Sequence, residues 1–481
     1  MKNIKMVLAA CAIATALMQT SCKEEFIELT PDLQVAEEDI YATAGRIESA
    51  MNGVYARMKS TYFLGGYITC GMENRSDDVV NVADNAYVMA DCYKHCMAAQ
   101  SIPTGYVYQY GYIAINSANT MIENLETREA LPIDNATRDL YIQSNKFVRA
   151  LCYFYFCQLY SIPYNVNPNA KAVPLRTKPC RTTEDNNCPA ATISEIYNKI
   201  LDDTQECRAL PKNAKAAANG THASQDAVHM LRMRVYMSMN KWQEAIDEGL
   251  QVTDYALSKS VAEMFDTPYY SEETIFSVPF SSLDRGSSQY HPAGYFCHTA
   301  AVVDTLNMRT GIANMPEFSL DTDARRGFYF KDDKGNTYYE KYNEVSMILE
   351  WIHVFRYAET MLNLAECYVN VGGERNEAKA AALTAEVRKR SIASGDIIDV
   401  NSLRGAALKE AIYNERRCEF LGEGMRGWDI ARRGEDFYHP SDTPNAEGKW
   451  YNILVAPTSD PTSYTWAIPS YEVMVNTALG K

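Results

Sequence analysis

The chain has 481 residues and carries 46 Lys+Arg against 61 Asp+Glu, a formal charge of −15 at pH 7. That length holds one large domain or two to three ordinary ones, and it buries enough surface to fold without disulfide staples. The acidic balance excludes a nucleic-acid binder, which needs clustered cations to displace phosphate counterions, and no second long apolar run exists to make a multi-span membrane protein. Tyrosine is over-used, with 33 copies against 15 Phe and 5 Trp. Its apolar face and polar tip suit wet, stacked recognition, and equally suit half-buried helix surfaces.

Residues 1–21 read as an export leader. Lys2 and Lys5 precede the apolar run Met6–Met18, which is too short to span a bilayer but has the length of a signal core. Gln19-Thr20-Ser21-Cys22 then resembles a bacterial lipoprotein processing site, with Gln19 in place of the usual aliphatic residue. The rival box Leu8-Ala9-Ala10-Cys11 fits the residue pattern better but leaves almost no apolar core before the cut, so Cys22 is the expected lipidation site. Lys23-Glu24-Glu25 follows, and acidic residues there are similar to the signal that sends lipoproteins to the outside of certain Gram-negative outer membranes. Residues 22–35 are accordingly expected to be a lipidated tether, and the location an outer membrane, facing the cell exterior.

Cys11 and Cys22 account for two of the 13 cysteines, and the odd remainder excludes a regular disulfide framework. Cys152, Cys157, Cys367 and Cys418 fall in apolar helical patterns and read as small core hydrophobes. Cys180 and Cys188 flank a Pro/Asn-rich loop and can pair in an oxidising compartment. Cys92, His95 and Cys96 lie close together, but no fourth ligand is evident, so no metal is expected, and no cofactor either.

Along the mature chain the dominant apolar period is 3.6 residues, not two. It predicts helices over 36–60 (Ile47, Met51, Val54, Met58), 113–128 (Ile115, Ala118, Ile122, Leu125) and 136–160 (Phe147, Leu151, Phe154, Leu159). Further helices are expected over 192–209, 224–239, 241–257, 353–371 and 374–391. Ala227, Leu231 and Val235 face Trp242, Ala245, Ile246 and Leu250 across the tight turn Met239-Asn240-Lys241. A second pair sets Tyr357, Ala358, Leu362, Ala365 and Tyr368 against Ala378, Ala382 and Val387 across Gly372-Gly373. Small residues at such crossings let antiparallel helices approach closely, the logic of a tetratricopeptide-like repeat.

The expected fold is therefore mostly α, a scaffold of tetratricopeptide-like helix pairs with long irregular loops and a few short strands. One domain spans 36–481, with an N-terminal part over about 36–190 and a helical-repeat and C-terminal part over about 191–481. Irregular stretches interrupt it at 62–112, 160–190, 258–350 and 434–470, and the largest, 258–350, contains a strand-like run at Thr274–Phe280.

The densest charged motif runs from Asn414 to Arg433. Glu415, Glu419 and Glu423 recur every four residues, with Arg416 three before Glu419 and Arg426 three after Glu423. A glycosidase needs two carboxyls across a cleft, one with a raised pKa, whereas interleaved cations lower both. An internal salt-bridge network at a helix-turn-helix corner is the better reading.

This run (Glu415-Arg416, Glu419-Phe420, Glu423-Gly424, Arg426, Trp428-Asp429, Arg432-Arg433) resembles the C-terminal signature of the SusD/RagB family. Cys22 with Phe26 and Pro31, Asn52-Gly53-Val54-Tyr55, Phe147-Val148-Arg149-Ala150, Tyr160-Ser161-Ile162-Pro163, Arg356-Tyr357-Ala358-Glu359, Val387-Arg388-Lys389-Arg390 and Ile468-Pro469 with Glu472 and Asn476 are similar to other patterns of that family, in the same order. Two positions depart from it: Gly427 stands where a second aromatic is common, and Gly422 loosens a usually stiffer helix.

The resemblance implies an outer-membrane nutrient-binding lipoprotein, not an enzyme. It would carry four tetratricopeptide-like helix pairs in a right-handed helical scaffold, with a variable loop face and a few short strands toward the ligand, and partner a SusC-like TonB-dependent transporter. The ligand would be an oligosaccharide or, in some members, a peptide. Sugar rings want aromatic platforms with Asn, Asp and Arg reaching hydroxyls. Two loops supply both: Asn74, Arg75, Asp77, Asp78, Asn81, Asn85, Tyr87 and Tyr93 in the first, and Tyr269, Tyr270, Tyr290, His291, Tyr295 and Phe296 in the second. Against this, Arg75 with the two Asp residues can simply pin its loop, and the second group can be a packing cluster. His291 is expected to be a hydrogen-bonding surface group, and Trp351 and Trp450 are either platforms or core. A rival from another class is a degenerate helical glycoside hydrolase using Asp77 or Asp78. No phosphate loop, dinucleotide fingerprint, zinc-protease motif or nucleophile elbow occurs.

Overall fold

The computed structural model describes residues 37–81, 89–287, 291–292, 300–302, 323–331, 337–392, 399–440 and 451–479. The expected leader, Cys22 and the expected tether lie outside them. The chain forms two compact units, the smaller running to Ala50 together with Ala130–Ile133. It holds α1 (Glu37–Ile40) and the first half of α2 (Ala44–Met58), so the expected helix over 36–60 is broken at Tyr41–Thr43. Glu37, Glu38 and Asp39 place negative charge at the positive end of α1, and Arg46 donates to the Asp39 carbonyl at 3.0 Å.

The larger unit continues through α3 (Tyr67–Asn74), β1 (Val79–Asn81), α4 (Ala90–Tyr93), α5 (Ile102–Thr127), α6 (Asn135–Tyr160), β2 (Lys171–Pro174), β3 (Ala190–Thr192), α7 (Ile193–Asp203), α8 (Gln225–Ser238) and α9 (Trp242–Gly249). There follow β4 (Thr274–Val278), β5 (Ala300–Val302), β6 (Tyr329–Lys331), β7 (Thr337–Tyr339), β8 (Ile352–Arg356), α10 (Tyr357–Val371) and α11 (Glu374–Lys389). The chain closes with α12 (Gly405–Phe420), α13 (Met425–Arg433), β9 (Phe437–Pro440), β10 (Tyr451–Val455), α14 (Pro461–Tyr464) and α15 (Ser470–Val475). Among the described residues the strands make only two-stranded antiparallel ladders: β1–β5, β2–β3, β4–β8, β6–β7 and β9–β10. The fold is mostly helical, as the 3.6-residue period implies.

Both expected helix pairs form, as α8/α9 and α10/α11, but with corrections. α9 stops at Gly249, whose absent Cβ would lie 2.8 Å from Met233 Cε and 2.9 Å from Leu364 Cδ2. Leu250, expected in the crossing, is therefore past the helix end and 53 % exposed. On α11 the buried face is Ala380, Ala381, Thr384, Val387 and Arg388, while Ala378 and Ala382 face solvent. The helix is turned so that the Arg388 guanidinium reaches the buried Glu415 at 3.9 Å. α7 begins on schedule, with a Thr192/Glu195 capping box, and ends at Asp203 rather than 209. Cys152, Cys157, Cys367 and Cys418 are buried as expected; Cys180 and Cys188 are both free thiols, each engaged with a nearby carbonyl.

The stretch expected to be irregular over 62–112 contains α3 and the first third of α5. Pro103 sits in the first turn of α5, where its missing N–H costs nothing, and Asp134 caps α6 by accepting from the Thr137 N–H at 2.7 Å. Gly111 lets α5 and α6 cross closely: a Cβ there would sit 2.4 Å from Phe156 Cζ and 2.9 Å from Phe63 Cε2. Gly111→Ala is expected to lower stability by about 1–3 kcal/mol through overpacking, despite alanine's better helix propensity. Urea midpoints test this, and an unchanged or higher midpoint contradicts the tight crossing.

Candidate functional site

The first predicted loop is built on α3, every residue of which is buried. The α12–α13 corner docks directly on its backbone. Leu421 leaves helical geometry, Gly422 and Gly424 take left-handed φ values of +81° and +77°, and α13 then starts against α3. A Cβ on Gly427 would lie 2.2 Å from the Met72 carbonyl oxygen, which explains why no aromatic stands there. Glu73 closes the contact by accepting the Gly424 N–H at 2.7 Å.

The two aspartates that follow α3 are consumed by this corner. Arg426 Nε and Nη2 donate to the two Asp77 carboxylate oxygens at 2.7 and 3.1 Å, and Arg417 Nη2 reaches Asp77 at 2.9 Å. Arg417 Nε donates to Asp78 at 2.6 Å. Arg75 points elsewhere: its Nη1 and Nη2 donate to the carbonyls of Gln158 and Tyr464 at 2.9 and 2.6 Å, and its guanidinium lies 4.6 Å from the Phe437 ring centre. Asn74 donates back to the Cys70 carbonyl at 2.8 Å. Asn74, Arg75 and Asp77 are 0 %, 1 % and 0 % exposed. They are anchors under the loop rather than ligand contacts, a correction to the expectation from residue type alone.

Burial opposes ionisation of Asp77, yet Arg417 and Arg426 hold its carboxyl well below the usual range. For Asp78 burial wins over Arg417, and the adjacent Asp77 charge adds to the upward shift. The two values are pushed apart as in an acid–base pair, but both groups are buried and bound to guanidinium groups, which suits neither for work on a soluble polymer.

The signature acids do form an internal network, with partners other than their sequence neighbours. Arg416 pairs with Asp429 at 2.9 Å and Arg426 with Asp77, because Glu423 sits in the turn rather than on the helix face. Arg356 instead binds Glu419 at 2.7 Å, Glu423 at 2.8 Å and Glu273 at 3.1 Å. Lys341 takes Glu423, Arg390 takes Glu419, and Arg325 takes Glu415. Against the cost of burial, Arg390 and Arg356 hold Glu419 at about 2, and Arg356 and Lys341 lower Glu423. Glu415 goes the other way, burial outweighing Arg325.

What the anchored base carries is β1. Its register with β5 pairs Val79 with Val302, Val80 with Ala301 and Asn81 with Ala300. β1 therefore ends and β5 begins at the same end of one ladder. Asn81 is the last residue of β1; Asn85, Tyr87, Tyr290, Tyr295, Phe296 and Trp450 lie outside the described residues. Tyr93 is half-buried against His439, with ring centres 3.9 Å apart and planes tilted by 35°.

The second group is split. His291 is buried, not a surface group: Nε2 donates to the Glu350 carbonyl at 3.0 Å, and burial lowers its pKa to about 3. Tyr269 is half-buried at a left-handed φ of +65°. Tyr270 stacks on Trp351 with ring centres 5.3 Å apart and borders an open cleft of about 820 Å³. No group of three or more His, Cys, Asp or Glu with metal-binding geometry occurs among the described residues.

This helical frame and corner match known proteins. Residues 324–481 match the SusD family model, and residues 25–237 match the family model described as "Starch-binding associating with outer membrane". A SusD superfamily protein from Bacteroides fragilis, known as a crystal structure, is 39 % identical, with 92 % of this chain and 100 % of that one covered at a TM-score of 0.84. The chain belongs to the SusD family. The SusD-like protein P25 of Formosa agariphila is 23 % identical over 528 residues, 95 % of each chain. The fold also matches surface glycan-binding protein A of Bacteroides thetaiotaomicron in complex with laminarihexaose, at 16 % identity, 91 % and 98 % coverage and a TM-score of 0.67. The SusD signature around Glu415–Arg433 thus corresponds to the corner that pins the first loop.

Asp77→Asn leaves Arg417 and Arg426 buried without their full counter-charge and is expected to cost about 3 kcal/mol of stability, read from chemical denaturation. A loss under about 0.5 kcal/mol would contradict the anchoring role. Glu73 gives a pH signature. Burial, then the Asp78 charge, raises its carboxyl from 4.5 to about 8, so the folded protein keeps a proton that the unfolded chain releases. That stability is complete below pH 4.5 and is lost as pH rises through 8. Glu73→Gln is expected to flatten stability over this window and to exceed the wild type above it; parallel profiles would refute the shift.

Proposed function

We propose that the chain is a cell-surface lipoprotein that captures an extracellular oligosaccharide and passes it to a SusC-like TonB-dependent transporter. Residues 1–21 are its leader and Cys22 its lipid attachment, which tethers it to the outer membrane on the outward side. The observation that carries this reading is the β1–β5 ladder. Asn81 at the end of β1 pairs with Ala300 at the start of β5, and Arg75 and Asp77 close by are bound within the protein. The contact residues are then Asn81, Asn85, Tyr87, Tyr290 and Tyr295, with aromatic faces for sugar rings and amides for hydroxyls.

Membership of the SusD family supports this, as does the likeness to a glycan-binding protein solved with laminarihexaose. Binding rather than hydrolysis is favoured because Asp77 and Asp78 are buried against arginines.

Isothermal titration of the chain from Lys23 onward against malto-, laminari-, xylo- and manno-oligosaccharides and oligopeptides tests the reading. One glycan class is expected to bind, with Tyr87→Ala and Tyr295→Ala each weakening it about tenfold and no new reducing ends appearing. Binding only to peptides would move the ligand class, and accumulation of reducing ends abolished by Asp78→Asn would make it an enzyme. Pull-down of the lipidated chain from membranes is expected to bring a TonB-dependent transporter with it.

A further inference from the structure

The cleft beside Tyr270 shares no residue with the loops that leave the β1–β5 ladder. Its walls carry Asn213, Asn219, Asp254, Tyr255, Tyr270 and Glu272. Two aromatic rings in it are backed by a second ring. Tyr270 rests on Trp351 at 5.3 Å and 30°, and Tyr255 rests on Tyr357 at 5.9 Å and 24°. The Tyr255 hydroxyl accepts the Ala214 N–H at 3.0 Å, which fixes that ring edge as well as face. Such backed rings are flat platforms that need little ordering when a ligand stacks on them.

Backbone strain gathers at the same place. Of the eight non-glycine residues with left-handed φ among the described residues, Ala218 (+50°), Asn219 (+58°), Asp254 (+69°) and Tyr269 (+65°) lie in or directly beside this cleft. Asn and Asp tolerate that conformation, whereas Ala and Tyr adopt it against a steric cost that the surrounding structure must impose. Held strain of this kind concentrates at ligand sites. The two walls are also tied together, since the Ala256 N–H donates to the Glu272 carbonyl at 3.4 Å.

The chemistry selects the ligand. Planar amides and carboxylates between two aromatic platforms match ring faces and hydroxyl groups. Asp254 and Glu272, with only Lys215 opposite in sign on the lining, disfavour anionic polymers. The position matters too. Trp351 follows Glu350, whose carbonyl fastens His291 just before segment 293–299. The aromatic wall of the cleft thus adjoins the root of the second loop.

We propose that this cleft is a second contact site for a neutral oligosaccharide, gripping a further stretch of the same glycan chain that the loops hold. The inference rests on the proposed function, and two linked contacts on one polymer raise its affinity without any new chemistry at the first.

Hydrogen exchange of the chain from Lys23 onward tests it, with laminari-, malto-, xylo- and mannohexaose, their parent polysaccharides, and a neutral hexapeptide as probes. One glycan series is expected to protect segments 213–219 and 254–272 as well as 82–88 and 293–299. Tyr270→Ala and Asn219→Gly, the latter keeping the left-handed backbone accessible, are expected to abolish cleft protection only. Each is expected to weaken polysaccharide binding three- to tenfold. Protection confined to 82–88 and 293–299, with both variants binding like wild type, overturns the second site and leaves the proposed function standing. Protection of the cleft by the peptide and by no glycan overturns the ligand class. Absence of glycan protection anywhere removes both readings together.

Discussion

The structure hangs on two aspartates that follow α3 and the arginines that reach them from the far end of the chain. Asp77 is shared by Arg417 and Arg426, and Asp78 is held by Arg417. Burying these charges is expensive, and a well-packed apolar cluster would serve stability as well. What an apolar cluster lacks is direction. Carboxylate and guanidinium forks accept one another in few geometries, so they fix where α3 ends and where β1 begins. The second network, Arg356 with Glu273, Glu419 and Glu423, does the same for the junction of β4, β8 and the α12–α13 turn.

A ligand loop needs such a footing. The segment after β1 carries Asn85 and Tyr87, and the segment before β5 carries Tyr295 and Phe296. The ends of β1 and β5 from which they leave are held by the β1–β5 register, and the start of β1 by the buried ion pairs that follow α3. The charged residues just before β1 thus act as foundation. The SusD signature belongs to the foundation, which is why it identifies the family without naming a sugar.

Much of this was legible in the sequence, for identifiable reasons. The helices α6, α8 and α10 follow the 3.6-residue apolar period, the α12–α13 corner shows in its charged motif, and the strand at Thr274–Val278 shows as a β-branched and aromatic run. The first third of α5 was hidden because Gly105, Gly111 and a ladder of tyrosines look like loop composition, whereas Gly111 is there for the α6 crossing. Leu250 and Ala378 were placed in cores on periodicity alone, but a helix end and a buried Arg388 decided otherwise. Asn74, Arg75 and Asp77 have the residue types of a sugar site, and only three-dimensional contacts from Arg417, Arg426, Gln158 and Tyr464 show that they face inward. The strained cleft around Asn219 and Asp254 left no trace in composition, since left-handed Ala and Tyr residues are invisible in a one-letter code.

A crystal structure of the protein with a bound oligosaccharide tests the central claim most directly. The account predicts sugar density against side chains of segments 82–88 and 293–299, with Asn74, Arg75 and Asp77 still buried beneath and their arginine and carbonyl contacts unbroken. A glycan seated on Asp77 or Asp78, with Arg417 and Arg426 turned away to admit it, would contradict the account.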